Sequence, residues 1–187
     1  MNFKEIEYKY DADSIEINKF LDLVELSLPV RKKMMVSSYD DYFVDNEGVN
    51  FIRYRHHDNR GELTIKRKVS EKNNNERIEV NVPTAGDNLK TIAAFVDLLG
   101  YKHNFGIYKT CKIYWVDKVV LVYYVVYDKN LKELRRFIEI EADEELQWDS
   151  EQQAWDEIAK YEKIMEPLGI TPKNRLRKSL FEIFRKS

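Results

Sequence analysis

Alternation of charged with apolar or aromatic residues, at a period of two, is the feature that most constrains how this chain folds. In the segment KEIEYKY, Glu5, Glu7 and Lys9 fall on one face of a strand. Ile6 and Tyr8 fall on the opposite face. A single strand of this pattern is typical of a half-buried antiparallel sheet whose charged face lies in water. The fold therefore depends on which of the two faces the rest of the chain covers.

Strand patterns and helical spacing divide the chain into about twelve elements. The predicted strands are residues 3–10, 32–44, 50–57, 62–69, 76–82, 105–115, 118–127 and 135–142, and the predicted helices are residues 13–26, 87–99, 151–168 and 174–185. Links of hairpin length join most of the strands, which indicates a mostly antiparallel sheet. We therefore predict an α+β fold with a single domain over residues 1–187, built as an eight-stranded antiparallel β-barrel, or tunnel, with helices packed on the outside.

The charged strand faces are sorted by sign along the chain. Acids dominate the first and last predicted strands, and bases dominate the third and fourth. The helices need an apolar surface to pack on, and if they cover the outside of the barrel, the charged faces point inward. A charged interior is costly unless it is wet and holds counter-ions. The pattern therefore predicts a wet lumen that binds a polyanion together with divalent cations.

This arrangement of charges has a definite chemistry. Carboxylates two residues apart on a strand lie roughly 7 Å apart on one face. Two such pairs can hold hard cations such as Mg²⁺ or Mn²⁺ through oxygen ligands. Arginine and lysine side chains on the opposite wall bind phosphate oxygens, arginine in a bidentate manner. Metal and basic residues around a phosphate chain are typical of phosphoryl transfer.

The bulk composition argues against several other classes of protein. With 31 Lys and Arg against 33 Asp and Glu, the chain is not a general nucleic-acid binder by charge. Cys111 is the one cysteine, so an intrachain disulfide and a zinc site of Cys/His type are both excluded. The N-terminal residues lack the apolar region of a signal peptide, and the longest apolar run, Val119–Tyr127, is about half a membrane helix. We expect a soluble, cytoplasmic protein.

A series of motifs follows in order along the chain. They are ExExK at residues 5–9, RxR at 53–55, a lysine in the next strand, RxE at 77–79, a second basic strand at Lys109 and ExE at 139–141. This ordered series resembles the CYTH superfamily, the triphosphate tunnel metalloenzymes, and the resemblance covers nearly the whole chain. It implies an eight-stranded antiparallel tunnel that binds a triphosphate with a divalent metal, Mg²⁺ or Mn²⁺. Members include inorganic triphosphatases, thiamine triphosphatases, RNA 5′-triphosphatases and class IV adenylyl cyclases.

The resemblance also implies roles for individual residues. The implied metal ligands are Glu5, Glu7, Glu79, Asp128, Glu139 and Glu141. The implied phosphate-binding residues, with their neighbours on the same strand faces, are Arg53, Arg55, Lys66, Lys68, Arg77 and Lys109. Lys9 resembles the motif lysine that orients or deprotonates the attacking water. The chain departs from the family at Cys111, two residues after Lys109, where a second basic residue is usual, so one phosphate contact is expected to be lost or rerouted.

The preferred interpretation is a metal-dependent triphosphatase, a phosphoric anhydride hydrolase that releases the terminal phosphate of inorganic triphosphate or of a nucleoside triphosphate. The first alternative is a class IV-type adenylyl cyclase that makes cyclic AMP and pyrophosphate from ATP. The second alternative is a non-catalytic binder of a phosphorylated nucleotide or an RNA 5′ end, because Cys111 removes a basic residue. The expected partner is a small-molecule triphosphate and not a membrane, and the expected state is a monomer or a homodimer.

Overall fold

The computed structural model describes residues 4–57, 60–70, 73–85 and 89–185, and for residues 66–70 and 73–78 it describes the backbone. The strands in these ranges are β1 (Lys4–Asp11), β2 (Val30–Val44), β3 (Phe51–His57), β4 (Arg60–Ser70), β5 (Asn73–Ala85), β6 (Lys102–Val116), β7 (Val119–Tyr127), β8 (Glu133–Ala142) and β9 (Arg175–Leu176). The α-helices are α1 (Ile17–Ser27), α2 (Leu89–Leu98), α3 (Glu151–Ile164) and α4 (Leu180–Phe184), and short 3₁₀ turns cover Glu166–Leu168 and Pro172–Asn174. Among the described residues, none of the helices is both long and apolar enough to cross a membrane.

The strands form one antiparallel sheet in the order β5-β4-β3-β2-β6-β7-β8-β1-β9. The first half of β1 also pairs with β5, with Glu5 opposite Arg77. This short pairing connects the first strand of the order, β5, to the eighth, β1, and we call the strands connected in this way the ring. The second half of β1 pairs with β8, with Lys9 opposite Glu139. The predicted α+β fold, with an antiparallel tunnel of strands and helices outside it, is confirmed.

The outer faces of the strands carry the apolar residues, and α1 and α3 cover them. On β1, Ile6 and Tyr10 belong to a buried cluster that also contains Ile140 of β8. Ala154, Ile158 and Tyr161 of α3 bury their side chains in the same cluster. Because side chains alternate along a strand, covering Ile6 and Tyr10 from outside directs Glu5, Glu7 and Lys9 inward.

The C-terminal segment is the part of the fold that differs most from the sequence prediction. Residues 174–185 were predicted as one helix, but residues 172–174 form a 3₁₀ turn, Arg175–Leu176 pair with β1, and helix α4 begins only at Leu180. Pro172 starts the turn, and its ring fixes the backbone in a conformation that suits the start of a turn. Helix α4 follows this short strand and packs against β3, where the Phe181 side chain stacks on that of Phe51 with 4.6 Å between the aromatic centroids.

One buried carboxylate fastens this C-terminal segment to the ring. Glu162 of α3 accepts a hydrogen bond of 2.8 Å from the Tyr10 hydroxyl and one of 2.7 Å from Arg175 Nε. The Arg175 guanidinium also lies 3.6 Å from the centroid of the Tyr8 ring. Glu162 is only 6% exposed, so its loss leaves the buried Tyr10 hydroxyl and the half-buried Arg175 guanidinium without their acceptor.

We therefore predict that Glu162→Ala lowers the free energy of unfolding by about 2 kcal/mol, measured by urea denaturation, because a buried, charge-assisted network is broken. The matched control is Asp156→Asn on the exposed side of the same helix, where the carboxylate accepts a hydrogen bond of 2.8 Å from the Gln152 side chain. The control is expected to change stability by less than about 0.5 kcal/mol. Equal effects of the two substitutions would contradict this account of the C-terminal segment.

Candidate functional site

The inner faces of the ring enclose a cavity of about 880 Å³. The charged residues that line it from the strands are Glu5, Glu7, Lys9, Arg53, Arg55, Glu62, Glu79, Lys109, Glu139 and Glu141. Further acids line it from the segment after β8, namely Asp143, Glu144, Glu145, Asp149 and Glu151. The structure thus brings together most of the residues that the strand motifs predicted for one site. Lys66, Lys68 and Arg77 lie on the described backbone of β4 and β5, and their side chains lie outside the described part of the structure.

A group of three carboxylates lies where β1 meets β8. One oxygen from each of Glu5, Glu7 and Glu141 lies within 4.8 Å of the other two. The group forms because Glu7 and Glu141 are direct partners in the antiparallel register, and Glu5 is two residues from Glu7 on the same face. Burial, together with repulsion from three neighbouring carboxylates, raises the pKa of Glu141 well above its usual range.

These three carboxylates fit a divalent cation. Hard cations such as Mg²⁺ and Mn²⁺ prefer carboxylate oxygens, and several such oxygens are close together here. A bound cation offsets the repulsion that raises the pKa of Glu141. Glu5, Glu7 and Glu141 are therefore the residues best placed to hold the predicted metal.

Lys9 lies between two carboxylates of the same wall. Its Nζ is 2.9 Å from Glu139 Oε1 and 3.3 Å from Glu7 Oε1, and the side chain is buried. Glu139 also accepts a hydrogen bond of 2.8 Å from the Tyr124 hydroxyl. Burial would raise the pKa of Glu139, but the positive charges of Lys9 and Lys109 outweigh burial and hold it well below its usual range. Glu139 is therefore an anion bound to Lys9 and does not belong to the group of three.

Arg53 lies beside acids of β4 and β5. Its guanidinium donates a hydrogen bond of 2.8 Å to Thr64 Oγ1 and lies 3.7 Å from Glu79 Oε1. Thr64 in turn donates to Asn81 Oδ1 at 2.7 Å. Glu79, predicted as an assisting metal ligand, therefore lies in the cavity beside Arg53 and outside the group of three.

Arg55 and Lys109 share a carboxylate that the sequence analysis missed. Asp40 of β2 accepts two hydrogen bonds from Arg55, at 2.8 and 2.9 Å, and lies 3.4 Å from Lys109 Nζ. Burial would raise the pKa of Asp40, but these two positive charges outweigh burial and hold it far below its usual range. The signal was in the segment SSYDDYF, because two adjacent aspartates in a strand must point to opposite faces.

Asp128 and Cys111 were also singled out from the sequence, and only Cys111 lines the cavity. Asp128, predicted as a metal ligand, lies in the turn between β7 and β8, away from the cavity. Its carboxylate accepts hydrogen bonds from the backbone N–H groups of Asn130 and Lys132, at 2.8 and 2.9 Å, so it stabilises the turn. Cys111 does face the cavity, and burial raises the pKa of its thiol, which keeps it neutral.

The inner face of β7 and of the second half of β6 is apolar, whereas the charged strand faces predicted a charged lumen. Ile113 and Trp115 of β6 line the cavity beside Val120 and Val122 of β7. Lys32 Nζ lies 4.2 Å from the centroid of the Trp115 ring. The signal was visible in the run VVLVYYVVY, which carries no charge on either face. The cavity therefore offers charged groups on one side and an apolar surface on the other.

Comparison with known proteins bears on the fold. The sequence matches no family model, and no curated protein is significantly similar to it. A conserved hypothetical protein from Pyrococcus furiosus is 24% identical over 96% of this chain and 99% of its own, with a TM-score of 0.72.

Two further structures are described as candidate adenylate cyclases. The one from Vibrio parahaemolyticus is 13% identical over 98% of each chain, with a TM-score of 0.65. The one from Bacillus halodurans is 15% identical over 97% of this chain and 98% of its own, with a TM-score of 0.62. At these identities the similarity concerns the fold, which this chain shares with the three structures over nearly its whole length.

We predict that Glu5→Gln weakens Mn²⁺ binding by about tenfold or more, measured by titration calorimetry, because one anionic ligand is lost. The free energy of unfolding without metal is expected to stay the same or rise by up to about 1 kcal/mol, since repulsion among the three carboxylates is relieved. Glu133→Gln, at an acid on the outer surface that pairs with Arg136, is the matched control. A large loss of stability with unchanged Mn²⁺ affinity would make Glu5 part of a structural ion pair instead.

The affinity for Mn²⁺ should also depend on pH. Because the pKa of Glu141 is raised, protons compete with the metal in a range where ordinary carboxylates are already ionised. Affinity is therefore expected to fall as the pH is lowered, starting above the range in which ordinary carboxylates take up protons, and Glu141→Gln should flatten this dependence. An equally steep dependence in the Glu141→Gln variant would show that another group binds the competing proton.

Proposed function

We propose that the protein is a divalent-metal-dependent hydrolase that releases the terminal phosphate of a triphosphate. The observation that carries this proposal is that one cavity contains both the acidic group of Glu5, Glu7 and Glu141 and the basic residue Arg53. A triphosphate carries several negative charges, so its binding requires cations along the chain of phosphates. Two structures that share the fold are described as candidate adenylate cyclases, and a cyclase that acts on ATP also binds a triphosphate.

Each part of the cavity has a role in this proposal. Glu5, Glu7 and Glu141 hold a Mg²⁺ or Mn²⁺ ion, which when bound supplies a Lewis acid for the phosphate oxygens. Arg53 binds phosphate oxygens, and its guanidinium geometry suits two oxygens at once. Lys9 is held in place by Glu7 and Glu139, so its ammonium is positioned to orient a water molecule beside the phosphate chain.

The experiment is incubation of the purified protein with inorganic triphosphate, ATP and GTP, with Mg²⁺ and separately with Mn²⁺, followed by chromatographic identification of the products. The expected products are orthophosphate with diphosphate or a nucleoside diphosphate. Cyclic AMP with pyrophosphate would show the cyclase activity instead. Tight binding of every compound without turnover would show a non-catalytic binder. Either of these last two results contradicts the proposal.

We further predict that Arg53→Ala raises KM by about tenfold, since a contact between a charged donor and phosphate is worth roughly 1.5–3 kcal/mol. The value of kcat should also fall if this contact strengthens in the transition state. Arg136→Ala removes a guanidinium from the outer surface, where it pairs with Glu133, and is expected to change neither constant. An unchanged KM in Arg53→Ala would remove Arg53 from the phosphate site.

A further inference from the structure

Asp40 occupies a position inside the ring that two basic side chains share. The carboxylate is fully buried, both of its oxygens accept hydrogen bonds from Arg55, and Lys109 Nζ lies 3.4 Å from one of them. Ser38 Oγ, two residues back along β2, adds a longer hydrogen bond of 3.4 Å. The same arrangement, with a forked guanidinium and a second cation around two oxygens, is the one in which proteins bind a phosphate group.

The charges around Asp40 explain why the folded protein needs an anion at this position. Burial lowers the pKa of Lys109, and the neighbouring positive charge of Arg55 lowers it further, whereas Asp40 raises it. Cys111, which faces the same cations, is a neutral thiol and does not supply the anion. A buried ammonium beside a half-buried guanidinium, without an anion between them, would be strongly destabilising. Asp40 is therefore the group that allows Arg55 and Lys109 to lie side by side.

We propose that Asp40 is an internal anion that occupies the phosphate position between Arg55 and Lys109. A phosphate occupies this position only by displacing the carboxylate, so the position itself contributes little to phosphate binding in the natural protein. Arg55 and Lys109 also line the cavity, where Asp40 does not cover them. This inference rests on the proposed function only in that the cavity takes a phosphorylated ligand. Asp40 then leaves Arg53, together with the group of Glu5, Glu7 and Glu141, as the main contacts of the phosphate chain.

The test is the thermal unfolding midpoint of Asp40→Asn measured without metal, in a low-salt buffer and with rising concentrations of inorganic phosphate. The variant should unfold at a lower temperature than the natural protein in the low-salt buffer, because the two cations lose their anion. Phosphate should then raise its midpoint by about 5 °C or more, since an anion that binds only the folded state stabilises it. The natural protein should gain less than about 1 °C.

The matched control is Asp41→Asn, which makes the same change of charge one residue along the strand. Asp41 lies on the outer face of β2, where its carboxylate contacts His103 at 2.8 Å, so phosphate should not rescue this variant. The double variant Asp40→Asn with Arg55→Gln removes both members of the pair. It should fold without phosphate and gain little from it, which would locate the rescue at Arg55.

Three results would overturn the proposal: a midpoint of Asp40→Asn that phosphate does not raise, a rise no larger than that of Asp41→Asn, or failure of Asp40→Asn to fold even with phosphate. The readout needs neither a triphosphate nor turnover, so it separates this inference from the proposed function. Rescue by phosphate in a protein that hydrolyses no triphosphate would support the role of Asp40 and contradict the hydrolase. Hydrolysis of a triphosphate without rescue by phosphate would support the hydrolase and contradict the role of Asp40.

Discussion

Charges of both signs lie inside one ring of strands, and the whole site depends on how they are paired. The helices that cover the outside use the apolar strand faces, which leaves the charged faces no position except the interior. Unpaired charges there would cost an amount of free energy comparable to the whole net stability of a domain. The two basic positions Lys9 and Arg55 are accordingly matched to Glu139 and Asp40, at hydrogen-bonding distance.

Two neighbouring acids of β8 show how the surroundings of a carboxylate decide its role. Glu139 and Glu141 are two residues apart on the same face of β8, yet their surroundings shift their pKa values in opposite directions. Glu139 is ionised because Lys9 and Lys109 favour its anion, and Glu141 resists ionisation because three carboxylates surround it. A divalent cation is the one common counter-ion that satisfies several such carboxylates at once.

Much of this arrangement follows from the sequence by alternation alone. Once the apolar face of a strand such as Lys4–Asp11 is assigned to the outside, the inward position of Glu5, Glu7 and Lys9 is determined. Which charges pair is not determined by alternation, because it depends on the register between strands far apart in the chain. Asp40 was missed for this reason: β2 reaches Lys109 and Arg55 through pairings that no local pattern reveals. Asp128 was assigned to the site although it lies beyond the end of β7. Its carboxylate accepts a hydrogen bond from the backbone N–H of Asn130 in the turn.

The most direct test of the central claim is whether a metal held by the three carboxylates contacts a phosphate. Electron–nuclear double resonance of Mn²⁺ bound to the protein with the slowly hydrolysed imido analogue of inorganic triphosphate measures coupling between the metal and phosphorus. The account predicts a phosphorus coupling in the natural protein and a weaker bound Mn²⁺ signal in Glu141→Gln at the same metal concentration. Mn²⁺ that binds without any phosphorus coupling, or that binds equally well in Glu141→Gln, would contradict it.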